Sequence, residues 1–450
     1  MQIRQVIALD DADKTANSLL IGLEQLGLQI CNASNCAAHD LAGDALLICG
    51  PGFESTPQGS LIIRQAMNSG CCVLMDPSQF AEVLEEIRRS GGISDDTRRA
   101  LASYALYRCM VEDARHLATL QGSLDLPRYM VTAYEKVQDL RYGENWHQHA
   151  ALYSRPGAMG LHSARKLCGR EISYNNVVDA ETVLDMLIDL SEYDGVSTNR
   201  PLAVIVKHAN PCGVAYGQDL AQAYRQAFAT DPKSAFGGVI GFNQPVDIKA
   251  AEAIGDSFVE VLLAPGYEPE ALKMLMSKPN RRILDMGDLL SRKSELYGNK
   301  CIKGTFGGVL VQDCDTGDIK EWKVVTKRAP TDEETRALRF AWKIAKFIKS
   351  NALVYTTGDR TIGIGSGQVS RVDSARFGAE KAEEHGLSTV GTVAATDSFF
   401  PFRDGLDATY RAGATAVAHP GGSIRDAEVI QAADEHGMAM VFTGMRHFRH

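Results

Sequence analysis

Leu202-Ala203-Val204-Ile205-Val206-Lys207-His208-Ala209-Asn210-Pro211-Cys212-Gly213 runs from five apolar residues into two basic side chains and then into a turn signature. The apolar run has the length of a buried strand, and proline and glycine punctuate the residues beyond it. Lys207 and His208 thus stand at the carboxyl end of a strand, where open α/β sheets gather ligands and reacting groups. The dipeptide alone equally allows a surface lysine beside a helix-capping histidine. Outward from it the rhythm repeats, with apolar strands at Gly237–Ile240 and Ala414–Ala418 and a helical stretch from Asp332 to Ile348. The amino-terminal segment has the same character: Val6–Leu9, a helical pattern from Ser18 to Leu26, and Ala45–Cys49 ending in Gly50-Pro51-Gly52. Strands alternating with helices predict an α/β protein, with a small parallel-sheet unit first.

Gly122-Ser123 with Pro127 comes after the charged helical stretch from Asp95 to about Leu120 and marks a boundary, so a first domain is expected over residues 1–125. A break near Arg328-Ala329-Pro330 divides the remainder into residues 126–328 and 329–450. Phe-Gly-Gly-Val occurs at 236–239 and again at 306–309, an echo too short to establish a duplication.

Composition narrows the partners. Apolar residues make up 45% and charged residues 23% of 450, the balance of packed globular domains. A net charge of -9 argues against non-specific binding to nucleic acid or to an acidic membrane, since both need a basic face. No run of about 18 apolar residues is present, Met1-Gln2-Ile3-Arg4 lacks a signal-peptide core, and a cytoplasmic protein is expected. The ten cysteines include no CxxC, and Cys71-Cys72 and Cys31 with Cys36 are the closest neighbours. Reduced thiols and no metal site are the expectation.

Phe399-Phe400-Pro401-Phe402-Arg403-Asp404, preceded by Asp397-Ser398, concentrates three aromatics, a cation and a carboxylate. A buried aromatic knot with an exposed ion pair is one reading. Flat rings beside a carboxylate that accepts from ring amino groups, as a pterin would require, is another. Gly363-Ile364-Gly365-Ser366-Gly367-Gln368 lacks dinucleotide-binding spacing and reads as a strand and turn that lets backbone approach a ligand.

Taken together, Arg141-Tyr142-Gly143-Glu144-Asn145, Lys207 to Gly213, Asp231 to Gly238, Lys349-Ser350-Asn351-Ala352, Gly365 to Arg371, Ser398 to Asp404, Pro420 to Asp426 and Arg446-His447-Phe448-Arg449-His450 resemble the AICAR transformylase part of the bifunctional transformylase/IMP cyclohydrolase family. The resemblance covers about residues 126–450. It implies a duplicated cytidine-deaminase-like α/β region without the deaminase zinc, and active sites between the subunits of a homodimer. It implies that Lys207, His208 and Asn351 are catalytic and that AICAR is held by Arg141, Tyr142, Asn176, Gly237, Glu260, Ser370, Phe399 and Arg446. It further implies that 10-formyltetrahydrofolate is the co-substrate, bound by Arg371, Asp404, Ser423 and Ile424. A potassium ion occurs in some relatives near the residues matching Ser350, Asp397 and His450, and it stays unassigned here. Trp146 replaces a proline usual in the family, and Glu260 an aspartate of some relatives.

The chemistry makes sense of such groups. The amino group of AICAR is conjugated with its ring and carboxamide, so it is a poor nucleophile and needs a base. A histidine, with an ordinary pKa of about 6.5, can accept that proton. Attack builds negative charge on the formyl oxygen and leaves a folate nitrogen that must be protonated; a lysine cation and an amide donor answer those demands.

The first domain departs from the pattern. Ile7-Ala8-Leu9-Asp10-Asp11-Ala12-Asp13-Lys14-Thr15 resembles the start of the methylglyoxal-synthase-like cyclohydrolase domain, but no Lys-Thr-Leu-His-Pro motif occurs. Leu47 to Phe53 stands near the place of the catalytic tyrosine motif, Ile62 to Asn68 where the lysine belongs, and the stretch from Asn32 to Gly50 is short. A degenerate domain without cyclohydrolase activity is expected, against the alternatives of a fully bifunctional enzyme or an inactive nucleotide sensor.

Overall fold

The computed structural model describes residues 2–8, 14–32, 44–50, 52–193, 196–298 and 300–450. The Leu9–Asp13 part of the amino-terminal motif, and residues 33–43 of the shortened stretch, lie outside them. The chain divides into two compact units, Met1–Glu135 and Lys136–His450. Both are α/β.

In the first unit β1 (Gln5–Ala8), β2 (Gln29–Asn32), β3 (Ala45–Ile48) and β4 (Cys72–Leu74) form a parallel sheet in the order β2-β1-β3-β4. Its helices are α1 (Lys14–Glu24), α2 (Pro57–Asn68), α3 (Phe80–Ser90) and α4 (Asp95–Gln121). A parallel sheet is covered on both faces, which is why β3 is apolar throughout. Leu46 and Ile48 pack with Leu23 of α1 and Val83 of α3, while Ala45 and Leu47 face Ile63 of α2 and Ala105 of α4. Capping sets the helix starts: Thr56 accepts from Gly59 N at 2.9 Å and Ser94 from Thr97 N at 3.3 Å. Gly122, at φ 68°, ends α4 where the sequence marks a break.

The second unit opens with a small hairpin, β5 (Glu135–Leu140) and β6 (Ala150–Ser154), and then builds one sheet. One half contains β7 (Arg165–Cys168), α5 (Tyr174–Asp189), two short strands β8 (Glu192–Tyr193) and β9 (Val196–Ser197), β10 (Leu202–Lys207), β11 (Asn210–Tyr216), α6 (Leu220–Thr230), α7 (Pro232–Ala235), β12 (Val239–Phe242), α8 (Ile248–Ile254), β13 (Val261–Ala264), α9 (Pro269–Leu275) and β14 (Arg282–Asp285). After α10 (Lys293–Tyr297) and a hairpin of β15 (Lys300–Thr305) and β16 (Gly308–Asp313) comes the other half. It contains β17 (Lys323–Val324), α11 (Asp332–Ala345), β18 (Leu353–Thr357), β19 (Arg360–Gly365), α12 (Arg371–Glu384), β20 (Val393–Thr396), α13 (Arg403–Arg411), β21 (Ala416–His419), α14 (Asp426–Glu435) and β22 (Ala439–Phe442).

The strand order β17-β22-β21-β20-β18-β19-β11-β10-β12-β13-β14-β7 reads alike from both ends. Each half is an antiparallel hairpin, three further strands and an antiparallel edge strand, and β11 joins β19 at the middle. A topological repeat is therefore present, but the Phe-Gly-Gly-Val echo is not its trace: 236–239 enters β12, whereas 306–309 turns the hairpin of β15 and β16. The equivalent glycines are Gly213 and Gly363. A Cβ at Gly213 would sit 1.9 Å from the Ala227 carbonyl of α6, and one at Gly363 2.1 Å from the Gly378 carbonyl of α12. Gly365 likewise lies against the Ser374 carbonyl, at 1.9 Å from such a Cβ. The glycine-rich run thus serves close helix–strand packing.

Alternation along the central strands splits the core in two. Val204 and Val206 face α5 and α11 with Phe340 and Trp342, while Ala203 and Ile205 face α6 with Tyr224. On the matching side of the other half Leu353, Tyr355 and Val417 pack under α12, α13 and α14. A three-layer sandwich results. Among the described residues no helix is long and apolar enough to cross a membrane.

Candidate active site

His208 and Ala209 form the whole turn between β10 and β11, because Lys207 pairs directly with Asn210. Their φ values are 54° and 55°. Positive φ at both central residues is the requirement of a type I′ hairpin turn, normally met by Asn-Gly. Lys207 and His208 open on a cleft of about 410 Å³, bordered also by Asn210, Asp231, Ser366 and Lys381. That volume suits a small-molecule ligand. Lys207 Nζ donates to the Phe236 carbonyl at 2.7 Å, which ties the ammonium to the segment before β12. Cys212 also lines the cleft, but burial, aided by Asp231, pushes its thiol up to about 12. It is no nucleophile at neutral pH.

Asn351 belongs to a separate network. Its Nδ2 donates to the carbonyls of Gln368 at 2.9 Å and Val369 at 3.0 Å, and its Oδ1 accepts from Arg371 Nη2 at 2.9 Å. Arg371 is buried, with Nε on Thr396 Oγ1 at 2.6 Å, Nη1 on the Phe399 carbonyl at 2.9 Å and Nη2 on Asp397 Oδ1 at 2.8 Å. The guanidinium therefore holds the Asn351 and Phe399 segments from beneath. Ser370 caps α12 and donates to Asp373 Oδ2 at 2.9 Å. Ser350 Oγ donates to Asp397 Oδ2 at 2.5 Å. Both oxygens of Asp397 are thus engaged by the chain itself, with Arg371 as countercharge. Among the described residues no group of three or more His, Cys, Asp or Glu side chains could hold a metal ion.

The remaining residues singled out by sequence are dispersed around this centre. Arg141 is exposed, its guanidinium 5.4 Å from the Tyr142 ring centroid, and Arg446 is exposed, 4.6 Å from that of Phe448. Asn176 is buried at the third position of α5, where its Oδ1 accepts from Ser173 N in a capping box. Gly237, at φ 72°, donates its N–H to the Phe258 carbonyl at 2.8 Å, and Glu260 is paired with Arg282 at 2.5 Å. The aromatic run divides: Phe400 is core beside His419, Phe399 is half-buried, and Phe402 is exposed under Arg425. Asp404 lies exposed in the first turn of α13, Ser423 accepts from Arg425 N at 3.1 Å, and Ile424 projects fully into solvent. Of all these, only Lys207 and His208 line the cleft.

Sequence reasoning missed three contributors. Asn210 was visible only as a turn residue, Lys381 lies in an unremarkable helix, and Asp179 sits in α5 with no motif spacing to the turn it touches. Its Oδ2 accepts from His208 N at 3.2 Å and its Oδ1 from Ala209 N at 2.7 Å. Burial raises the Asp179 carboxyl, an effect its backbone hydrogen bonds oppose.

A lysine and a histidine held on a left-handed turn at the middle of a doubled α/β sheet, over a cleft of substrate size, have the make-up of an α/β enzyme's site. The sequence pattern of the AICARFT/IMPCHase bienzyme family matches residues 68–381. The chain belongs to that family and is a formyltransferase. It is 45% identical over 385 residues to the bifunctional purine biosynthesis protein PurH of Myxococcus xanthus, an overlap of 84% of this chain and 73% of that one. Against the proteins of the same name from Acidithiobacillus ferrooxidans and Chloroflexus aurantiacus the identities are 44% over 403 and 46% over 396 residues. Those overlaps cover 87% of this chain and 75% and 74% of the relatives.

Proposed function

We propose that this protein transfers the formyl group of 10-formyltetrahydrofolate to the 5-amino group of AICAR, yielding formyl-AICAR and tetrahydrofolate on the route to IMP in the cytoplasm. The observation that carries the reading is the pairing of Lys207 and His208 on one turn over the cleft. His208 takes a proton from the amino group as its nitrogen attacks the formyl carbon. The C–N bond to the folate then breaks, the proton passes to the departing nitrogen, and Lys207 balances the charge that develops on oxygen and nitrogen. Arg141 pairs the nucleotide phosphate with its planar fork of donors; Tyr142, Asn176, Gly237, Glu260, Ser370, Phe399 and Arg446 complete the AICAR side. Asp404, Ser423 and Ile424 form the folate side, with Arg371 supporting it through the Phe399 segment.

A homodimer with shared sites suits the geometry, since Asn351, Phe399 and Arg446 do not line the cleft that Lys207 and His208 border within one chain. Residues 126–328 and 329–450 then correspond to the halves of a duplicated cytidine-deaminase-like region. Residues 1–125 correspond to a methylglyoxal-synthase-like domain that has lost cyclohydrolase activity. A single-turnover reaction of purified protein with AICAR and 10-formyltetrahydrofolate tests the central reading. Formyl-AICAR and tetrahydrofolate should appear in equal amounts, and nucleotide binding without turnover would instead mark a sensor.

A further inference from the structure

We propose that Asp179 is a positioning residue for formyl transfer, its carboxylate holding the His208 turn in the reactive conformation through two successive backbone N–H groups. The inference rests on His208 acting as the base. A left-handed conformation costs a residue other than glycine roughly 1–2 kcal/mol, and this turn carries two such residues side by side. Strained conformations of this kind persist only where the surroundings over-determine them. Here the surroundings are specific. Each oxygen of one carboxylate takes one of the two turn N–H groups, at 3.2 and 2.7 Å. Successive N–H groups directed at one anion form a nest.

Asp179 is itself well fixed. It is only 9% exposed on α5, whose first turn is tied by the Ser173–Asn176 capping box and whose apolar face is buried against the sheet. Its carboxylate accepts from the turn amides, one to each oxygen. The opposite side of the same peptide is anchored as well, since Asn210 Nδ2 donates to the His208 carbonyl at 3.2 Å. Without the carboxylate, only the strand pairing and the Asn210 bond restrain the left-handed pair. The turn then samples other geometries in which the imidazole is displaced from its place beside Lys207. A displacement of about 1 Å at a reacting group is enough to cost roughly 100-fold in rate.

The test is a double-mutant cycle in the full-length protein, with Asp179→Asn as the shape-conserving variant beside Asp179→Ala. Asp179→Ala should lower kcat by about 10- to 100-fold, while AICAR affinity by calorimetry stays within a few fold. Asp179→Asn keeps one acceptor and should lose less. In a His208→Ala background Asp179→Ala should cost little more, because residues acting as a unit are not additive. Full turnover in Asp179→Asn and Asp179→Ala, or an equal loss with and without the imidazole, would overturn the proposal. Failure of the underlying reading shows separately, as near-normal turnover in His208→Ala alone.

Discussion

The backbone N–H of Lys349 donates to Oδ1 of Asn210 at 2.9 Å, joining two segments 139 residues apart in the chain. Asn210 Nδ2 simultaneously holds the His208 carbonyl. One amide thus couples the turn of the first half to the segment that carries Asn351 in the second. Asn210→Ala should lower stability by about 1 kcal/mol, the usual worth of a hydrogen bond in a partly exposed setting, and lower kcat more than this loss explains. Asn210→Asp keeps the acceptor for Lys349 but replaces the donor to His208 by a repelling oxygen, so its kcat should fall at least as far, with a urea midpoint lowered by a comparable amount. Wild-type turnover in Asn210→Asp would show that the bond to His208 is dispensable.

The roles of the basic residues should separate in kinetics. Removing a general base costs about 10²- to 10⁴-fold, so His208→Ala should lose turnover on that scale and still bind AICAR. Lys207→Ala should also lose turnover, and with it the 2.7 Å tie to Phe236. Arg141→Ala should weaken AICAR binding first, because a phosphate is held alike before and during reaction. Calorimetric titration beside steady-state rates decides among them; a His208→Ala variant that turns over normally but binds AICAR poorly removes the base from the mechanism.

The strand from Leu202 was legible from its five apolar residues, but the turn is tighter than its signature implied: only His208 and Ala209 form it, and Pro211 and Gly213, which read as turn residues, lie inside β11. The helix expected from Asp332 forms as α11, with Thr331 and Glu334 as its capping box. Strand limits shifted by about two residues: the stretch expected at Ala414–Ala418 pairs at Ala416–His419, since pairing rather than hydrophobicity sets the ends. The positive φ of His208 and Ala209 was not legible, because histidine adopts it only occasionally and alanine seldom. Nor was the carboxylate of Asp179, 29 residues from His208, since nothing in local spacing reports a contact made by folding. The resemblance singled out Arg371 and Asn351, but not the inward direction of their side chains, which bond to each other and to the backbone.

If the site is shared between subunits, inactive variants should complement one another. Mixing His208→Ala with Asn351→Ala protein under conditions that exchange subunits should restore one intact site per mixed dimer. The expected ceiling is about a quarter of wild-type activity at equal mixing, because half of the dimers are mixed and each holds one of two sites. Mixed dimers that form, by tag-based pull-down, yet stay inactive would place both residues in the same site from the same chain.

The proposed loss of the second activity of the bifunctional relatives predicts a blank result in a defined assay. Purified protein incubated with formyl-AICAR should form no IMP above the uncatalysed rate, because no tyrosine or lysine motif stands where ring closure needs an acid and a base. Chromatographic detection of enzyme-dependent IMP would restore the bifunctional reading.

Acid should destabilise the second unit through His419 before its carboxylates titrate. The ring is fully buried at the end of β21, between Phe400 at 5.3 Å and Phe442 at 4.8 Å, centroid to centroid. Its Nδ1 accepts from Gly421 N at 3.2 Å, which leaves the proton on Nε2, 3.3 Å from Met440 Sδ. Burial, reinforced by the positive charge of Arg371, lowers its pKa to about 3. In the unfolded chain a histidine takes up its proton near 6.5, so the folded form binds fewer protons at every pH between those values. The stability this group contributes is therefore complete above about pH 6.5 and is lost as pH falls toward 3, by at most about 1.4 kcal/mol per unit. His419→Asn retains an acceptor for Gly421 and removes the titration. It should be less stable at pH 7.5, yet its urea midpoint should fall less steeply between pH 6.5 and 5. The other histidines contribute equally to both proteins and cancel in the difference. Parallel pH profiles for parent and variant would show that His419 titrates alike folded and unfolded, against its burial between the two rings.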